Sequence, residues 1–532
     1  MKYSCVQLND LPDEILLIIF KQLDNLELLY SFHDVNERLN KILHDPVFTS
    51  HLSFVKWSLN EIINKFSSYI ILDRFCLQIL PKIHMKIKCL DLESESMKNI
   101  LDAADYPNLY SLGLYNIEEN MAECLFTDER LSSSIFKNQI TRLIIGIAPD
   151  EIRCSTMEYI CNLILAVFIN LNELIFYDAS YQYHIRLMNY TLCPNFSSSS
   201  LSILKIKVQT FSVCLYFLDG RFDQLHTLYI ELANTSLLPE EIEHQKKIPK
   251  LKCFVFSCIS KIWYYNELIL PLLYRMSNLE KLDLNISVNV EETFIDGNSL
   301  KENILNHMLQ LNEFTFDIYS SMSIKNQMNL PSKEDIQQTF NHFQNTKIIS
   351  CVDYFLEPYK YGRCHIYTYP SLTNHYEYIS KNFPGGLYPY VSVVSLYDEQ
   401  PFEHGFFIRI AQSFPFMEKS SIFNRYEQNQ KDSYTLMNAK SNLSIVKYNY
   451  LVELHIDRSH DCYIEEFLCD TKTYFQNNIT LWTHYEALQR VTYDFTRDDT
   501  RINCTKINDL VLLDENQYSK SCKDYFPFAI IE

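Results

Sequence analysis

The sequence predicts an α/β chain in which a small helical unit at the amino terminus precedes a long array of alternating helices and short parallel strands. Three observations carry that expectation. One six-residue apolar pattern returns at intervals of 22 to 32 residues from Ile87 to Leu311 and reappears after Val391. The segments between its copies carry apolar residues at three- and four-residue spacing, the period of a helix with one buried side. Residues 8–46 are dense in large apolar side chains broken by turn signals, and a unit that short hides too little surface to bury them all.

The amino-terminal unit reads as three helices. Pro12 fits the first helical position, with Asp10 as cap and Asp13 and Glu14 favourable in the first turn, and the helix runs to about Leu23. Leu26–Phe32 and Val35–Leu43 follow, with Asp34 expected to cap the last helix and Asp45-Pro46 to close it. Ser53–Leu80 reads as a helical connector with one apolar face, so the expected boundaries are 1–50 for the bundle and 51–86 for the connector.

The array begins at Ile87 with "IKCLDL" and continues as "LYSLGL", "ITRLII", "LNELIF", "LSILKI", "LHTLYI", "LKCFVF", "LEKLDL" and "LNEFTF". It resumes as "VSVVSL" from Val391, "LVELHI" from Leu451, "LQRVTY" from Leu488 and "INDLVL" from Ile507. Each copy ends in the period-2 alternation of a strand, and helix then strand at this period is the mark of a solenoid. The chain loosely resembles leucine-rich repeats, which implies that three apolar positions of each unit point inward while the spacer between the last two faces outward. Those spacers are Asp91, Gly113, Ile144, Ile175, Lys205, Tyr229, Val255, Asp283, Thr315, Ser395, His455, Thr492 and Val511. Their mixture suits a protein partner rather than a small anion, and Tyr229, Asp283, Thr315 and His455 are the candidate substrate face. An ordinary α/β domain is the alternative. The expected solenoid spans 87–345 and 391–532; residues 346–390, rich in Pro and Gly, read as an insertion or joint with "IISCVDYF" and "CHIYTY" as a hairpin.

Composition narrows function. Of 532 residues 47% are hydrophobic, ample for a packed core, and 66 acids against 47 bases give a formal charge of −19 that disfavours a phosphate-backbone partner. Eight glycines form no phosphate-cradling motif, so a nucleotide cofactor is not expected. The 16 cysteines match no zinc spacing and read as buried thiols of a reducing, intracellular setting, cytoplasm or nucleus; no segment reads as a signal peptide or membrane span. His33-Asp34, His44-Asp45 and His460-Asp461 lack further ligands at helical spacing. Asp461, Glu465 and Glu466 read as the solvated start of a helix. No catalytic residue, metal or cofactor is expected.

The opening stretch resembles an F-box. Leu11-Pro12-Asp13-Glu14-Ile15-Leu16-Leu17, Ile19-Phe20 and Leu23 meet the motif's leading half; Val35 and Arg38 meet part of the later half, where Leu39 stands in place of a common tryptophan. The resemblance covers about Leu8 to Phe48. It implies docking on a Skp-type adaptor, and through it a cullin–RING ubiquitin ligase, by Leu11, Pro12, Ile15, Leu16, Ile19, Phe20 and Leu23, completed by Val35 and Leu39. The whole then reads as a non-catalytic substrate receptor with leucine-rich repeats behind the F-box, contacting no nucleic acid or membrane. A non-ligase interaction scaffold is the alternative.

Overall fold

Parallel strands cannot be joined by a tight turn; each pair needs a crossover, and the segments between the repeats supply it. The computed structural model describes residues 8–57, 62–64, 69–117, 134–147, 154–177, 197–235, 247–324, 330–343, 346–355, 360–371, 373–429, 444–514 and 518–531. The fold is mixed α/β with a large, mostly parallel sheet. It divides into two compact units, Met1–Val288 with Glu302–Phe314, and Asn289–Lys301 with Thr315–Glu532.

The first unit opens with four helices: α1 (Asp13–Phe20), α2 (Asn25–Phe32), α3 (Glu37–Leu43) and α4 (Pro46–Thr49). The capping differs from expectation. Pro12 is itself the N-cap of α1, and Asp10 belongs to a short 3-10 turn before it. Asp24 caps α2 and Asn36 caps α3, while Asp34 takes φ +66° in the preceding turn. Asp45 caps a fourth helix instead of merely closing the third, with Pro46 at its first position. The connector is not helical from Ser53. It starts as β1 (His51–Ser53) and the antiparallel pair β2 (Val55–Trp57) and β3 (Ile62–Asn64), because Leu52 and Phe54 alternate into the core; helix begins at Tyr69.

β1 then pairs in parallel with β4 (Cys89–Glu93), and the ladder continues through β5 (Ser111–Ile117), β6 (Arg142–Ile147), β7 (Glu173–Tyr177), β8 (Ile203–Thr210), β9 (Thr227–Asn234), β10 (Cys253–Cys258) and β11 (Lys281–Val290). From β4 to β11 every strand begins two residues after the start of its repeat: Ile87 and Cys89, Leu109 and Ser111, onward to Leu279 and Lys281. Sequence neighbours are therefore sheet neighbours. The three apolar positions of each repeat are buried, as with Ile87, Leu90 and Leu92 or Leu251, Phe254 and Phe256. Each such side chain contributes roughly 1.5–3 kcal/mol, so the repeats hold the sheet one row at a time.

In the second unit β12 (Glu313–Ser323), β13 (Lys347–Phe355) and β14 (Tyr361–Tyr369) are antiparallel, with β14 in the middle. A second parallel sheet joins β15 (His375–Ile379), β16 (Val393–Tyr397), β17 (Lys419–Phe423), β19 (Glu453–Ile456), β21 (Ile479–Thr483), β22 (Ile507–Leu512) and β23 (Ile530–Ile531), while β18 (Val446–Tyr448) pairs with β20 (Thr473–Phe475). Two expectations fail here. "LQRVTY" is not a strand: Tyr485–Val491 is a helix, since Tyr485, Leu488 and Val491 share one face and are all buried, and Thr492 is its C-cap. The helix whose start was read at Asp461, Glu465 and Glu466 runs only over Asp461–Leu468, and Thr473–Phe475 is strand. β17 and β21 were not foreseen because Ser420 and Thr483 occupy core positions that the apolar template reserves for larger groups.

Candidate interaction surfaces

The amino-terminal helices form a core from Leu16, Phe20, Leu26, Leu28, Leu29, Leu39, Leu43 and Phe48, all nearly free of solvent contact. Phe20 anchors it, stacked on Phe32 with centroids 5.3 Å apart and edge-on to Phe48 at 6.3 Å. Arg38 ties α3 to the start of α1, donating to the Leu11 carbonyl at 2.5 Å and the Asp13 carboxylate at 2.7 Å.

What this core leaves outside matters more. Ile15 is 42% exposed, Ile18 60%, Ile19 38%, Leu23 45% and Val35 59%. Ile15, Ile18 and Ile19 stand at spacings of three and four from the first, so α1 carries apolar residues on its solvent side as well as on its packed side, and Leu23 adds to them from the turn after the helix. Of the residues expected at an adaptor, Leu16, Phe20 and Leu39 are thus inside the bundle; Ile15, Ile19, Leu23, Val35 and Pro12 are exposed and Leu11 is half-buried. Beneath the bundle the rings of His33 and His44 lie 5.7 Å apart, and burial lowers the pKa of both.

The outward faces of the parallel sheets form the other candidate surface. Register aligns Ser53, Asp91, Gly113, Ile144, Ile175, Lys205, Tyr229, Val255 and Asp283 into one row of the first unit. Tyr229 and Asp283 therefore share a row; Thr315 sits on β12 and His455 on β19, both in the second unit. Cross-strand ion pairs flank the first row, Arg142 with Glu173 at 3.1 Å and Lys207 with Glu231 at 3.0 Å, so its charges are largely matched internally.

In the second unit the corresponding row is Ser395, Ser421, His455, Trp482 and Val511. His455 stacks flat on Trp482, centroids 4.9 Å apart, and its Nε2 lies 2.7 Å from the Glu453 carboxylate. That hydrogen bond, with Lys419 at 2.5 Å, holds the Glu453 carboxyl down at about 2. Trp482 and Ser421 went unforeseen with their strands. The acidic cluster is not solvated as expected: Asp461 pairs with Arg490 at 2.6 Å, and Glu466 is buried against His404, Nδ1 to Oε1 2.5 Å. Cysteines of the described residues are free thiols, most of them buried, and burial pushes Cys351 up to about 12. Among the described residues no helix is long and apolar enough to cross a membrane, and no group of three or more His, Cys, Asp or Glu is placed to hold a metal.

No family model matches the sequence, and no curated protein matches it. Among solved structures, the crystal structure of Rad7 and Elc1 complex in yeast is similar at 12% identity over 79% of this chain and 91% of that chain, with a TM-score of 0.29, an overlay too loose to establish a shared fold.

Proposed function

We propose that the chain is a non-catalytic substrate-recognition subunit of a Skp–cullin–F-box ubiquitin ligase. Its amino-terminal helices dock on the Skp-type adaptor, and a leucine-rich-repeat-like solenoid behind them holds a target protein. The observation that carries the reading is α1, apolar on both its packed and its solvent side. Beyond the acids of its first turn, such a helix presents uncovered apolar surface to water, and here a second polypeptide covers it. Ile15, Ile19, Leu23 and Val35, flanked by Leu11 and Pro12, make the contact; Leu16, Phe20 and Leu39 act from behind by fixing the helix that presents them. The sequence-ordered parallel ladder, each strand two residues into its repeat, supports the solenoid, and the row through Tyr229 and Asp283 in the first unit, like the row through His455 in the second, is by itself a partly apolar, partly charged surface of the kind a protein target needs. The role is proximity: the chain brings a target to a partner's catalytic module. Calorimetry of the full chain with a purified Skp-type adaptor tests it. A 1:1 complex is expected; absence of binding by a folded chain would refute the docking.

A further inference from the structure

The carboxyl ends of parallel strands are where open α/β sheets place their ligands. In the second unit those ends carry an unusual charge for a chain of net −19. Arg425 follows β17, Arg458, Ser459, His460 and Asp461 follow β19, and Arg490 comes from the helix after β21; together they line one open pocket. Three guanidiniums and one carboxylate line it, with Asp457, Glu486 and Glu427 within 4 Å of Arg458, Arg490 and His460.

The loops are held so that these groups converge. The Ser459 hydroxyl donates to the Ile422 carbonyl at 2.9 Å and accepts from the Asn424 amide at 3.0 Å, and the His460 amide donates to the Asn424 carbonyl at 2.8 Å. Arg458 is kept at φ +46°, a conformation that disfavours any residue with a Cβ. The nearby acids are already engaged. Asp461 accepts two bonds from Arg490, at 2.6 and 2.9 Å, leaving Nη1 of that guanidinium toward Glu486 at 3.7 Å. Asp457 accepts from His484 at 3.0 Å and meets Arg458 only at 3.7 Å, and Glu427 lies 3.9 Å from His460. Arg425 has no ion pair among the described residues and lies over the Phe423 ring, 5.7 Å from its centroid.

We infer that this pocket binds a phosphoryl-type oxyanion, gripped by the forks of Arg425 and Arg458 with Arg490, braced by Asp461, as the third cation. Planar guanidiniums suit such oxygens because they donate in pairs. The inference goes beyond the adaptor reading and stands apart from it: a chain that ignored every adaptor would still meet this test. The shared chemistry has two sources, a phosphorylated side chain of a bound protein or a free phosphate-bearing solute.

The experiment is calorimetric titration of pyrophosphate into the full chain, the Arg425→Gln/Arg458→Gln variant and the Arg425→Lys/Arg458→Lys variant. Wild type should show saturable binding that weakens with salt. The glutamine variant should bind at least about tenfold more weakly at unchanged melting temperature, with the lysine variant between, since lysine keeps charge without the fork. Displacement of pyrophosphate by a phosphoserine peptide pool, and not by the same pool dephosphorylated, assigns the anion to a protein; failure of both pools to displace it assigns the pocket to a free solute. No saturable binding by wild type, or equal binding by the glutamine variant, overturns the inference.

Discussion

His404 makes two contacts that a neutral imidazole cannot make as donor at once: Nδ1 to the Glu466 carboxylate at 2.5 Å and Nε2 to the Ser444 carbonyl at 3.2 Å. Both partners accept only, so the ring is held as imidazolium, and the hydrogen bond to Glu466 raises its pKa above the ordinary 6.5. A raised histidine stabilises fully below that ordinary value and loses its contribution as pH climbs through the raised one. His404→Ala should cost about 3 kcal/mol by leaving the buried Glu466 carboxylate with only the longer contacts to Gln428 at 3.4 Å and Lys472 at 3.9 Å. Denaturant melts of wild type should show stability falling as pH rises above 6.5, and the variant should show a flatter profile. The sequence placed Glu466 correctly on a helix but not in the interior. Its partner lies 62 residues away, and a pairing that distant leaves no local trace.

At the scale of elements, α1 has one apolar side packed and one exposed, and the proposed docking assigns them different duties. Ile15→Asp/Ile19→Asp should leave the melting temperature nearly unchanged and weaken adaptor binding about 100-fold, since covering the exposed 42% and 38% of the two side chains contributes roughly 1 kcal/mol each and burying two unpaired carboxylates in their place costs a few kcal/mol more. Leu16→Asp should instead unfold the bundle, read as lost helical signal and a lowered melting temperature. His33 and His44 add a pH limit. Burial lowers both pKa values, so their neutral rings stabilise the bundle fully above 6.5 and that contribution disappears as pH falls through the lowered values. Asp34, Lys82, Lys86 and Arg74 are the charged groups around them, and three of the four are cations that oppose a further charge. Amide protection factors in α2 and α3, exchange rates corrected for the base-catalysed intrinsic rate, should fall as pH drops below 6.5, and His33→Asn/His44→Asn should remove that dependence. Helix existence was legible here and capping was not: Asp24, Asn36 and Asp45 each cap, whereas Asp10 and Asp34, equally plausible by type, sit in turns. The competition among neighbouring acids is decided by chain direction, which a single residue type does not encode.

Over the whole molecule the apolar period did most of the work. Strands β4 to β11 could be placed from sequence because each repeat buries the same three positions, and a row of outward residues followed from that register. Legibility dropped where Ser420 and Thr483 take core positions and where three apolar residues of "LQRVTY" fit helix and strand equally. The arginine pocket was invisible for a different reason: Arg425, Arg458 and Arg490 come from three loops and helices far apart in the chain, in a sequence whose overall charge points the other way. The central claim is that the solvent side of α1 is covered by an adaptor that brings a ligase with it. Co-purification of the full chain with a Skp-type adaptor and a cullin, beside Ile15→Asp/Ile19→Asp, tests it most directly. Wild type should bring down both proteins and the folded variant neither; a wild-type chain that stays monomeric, or a variant that retains the adaptor, would rule the docking out.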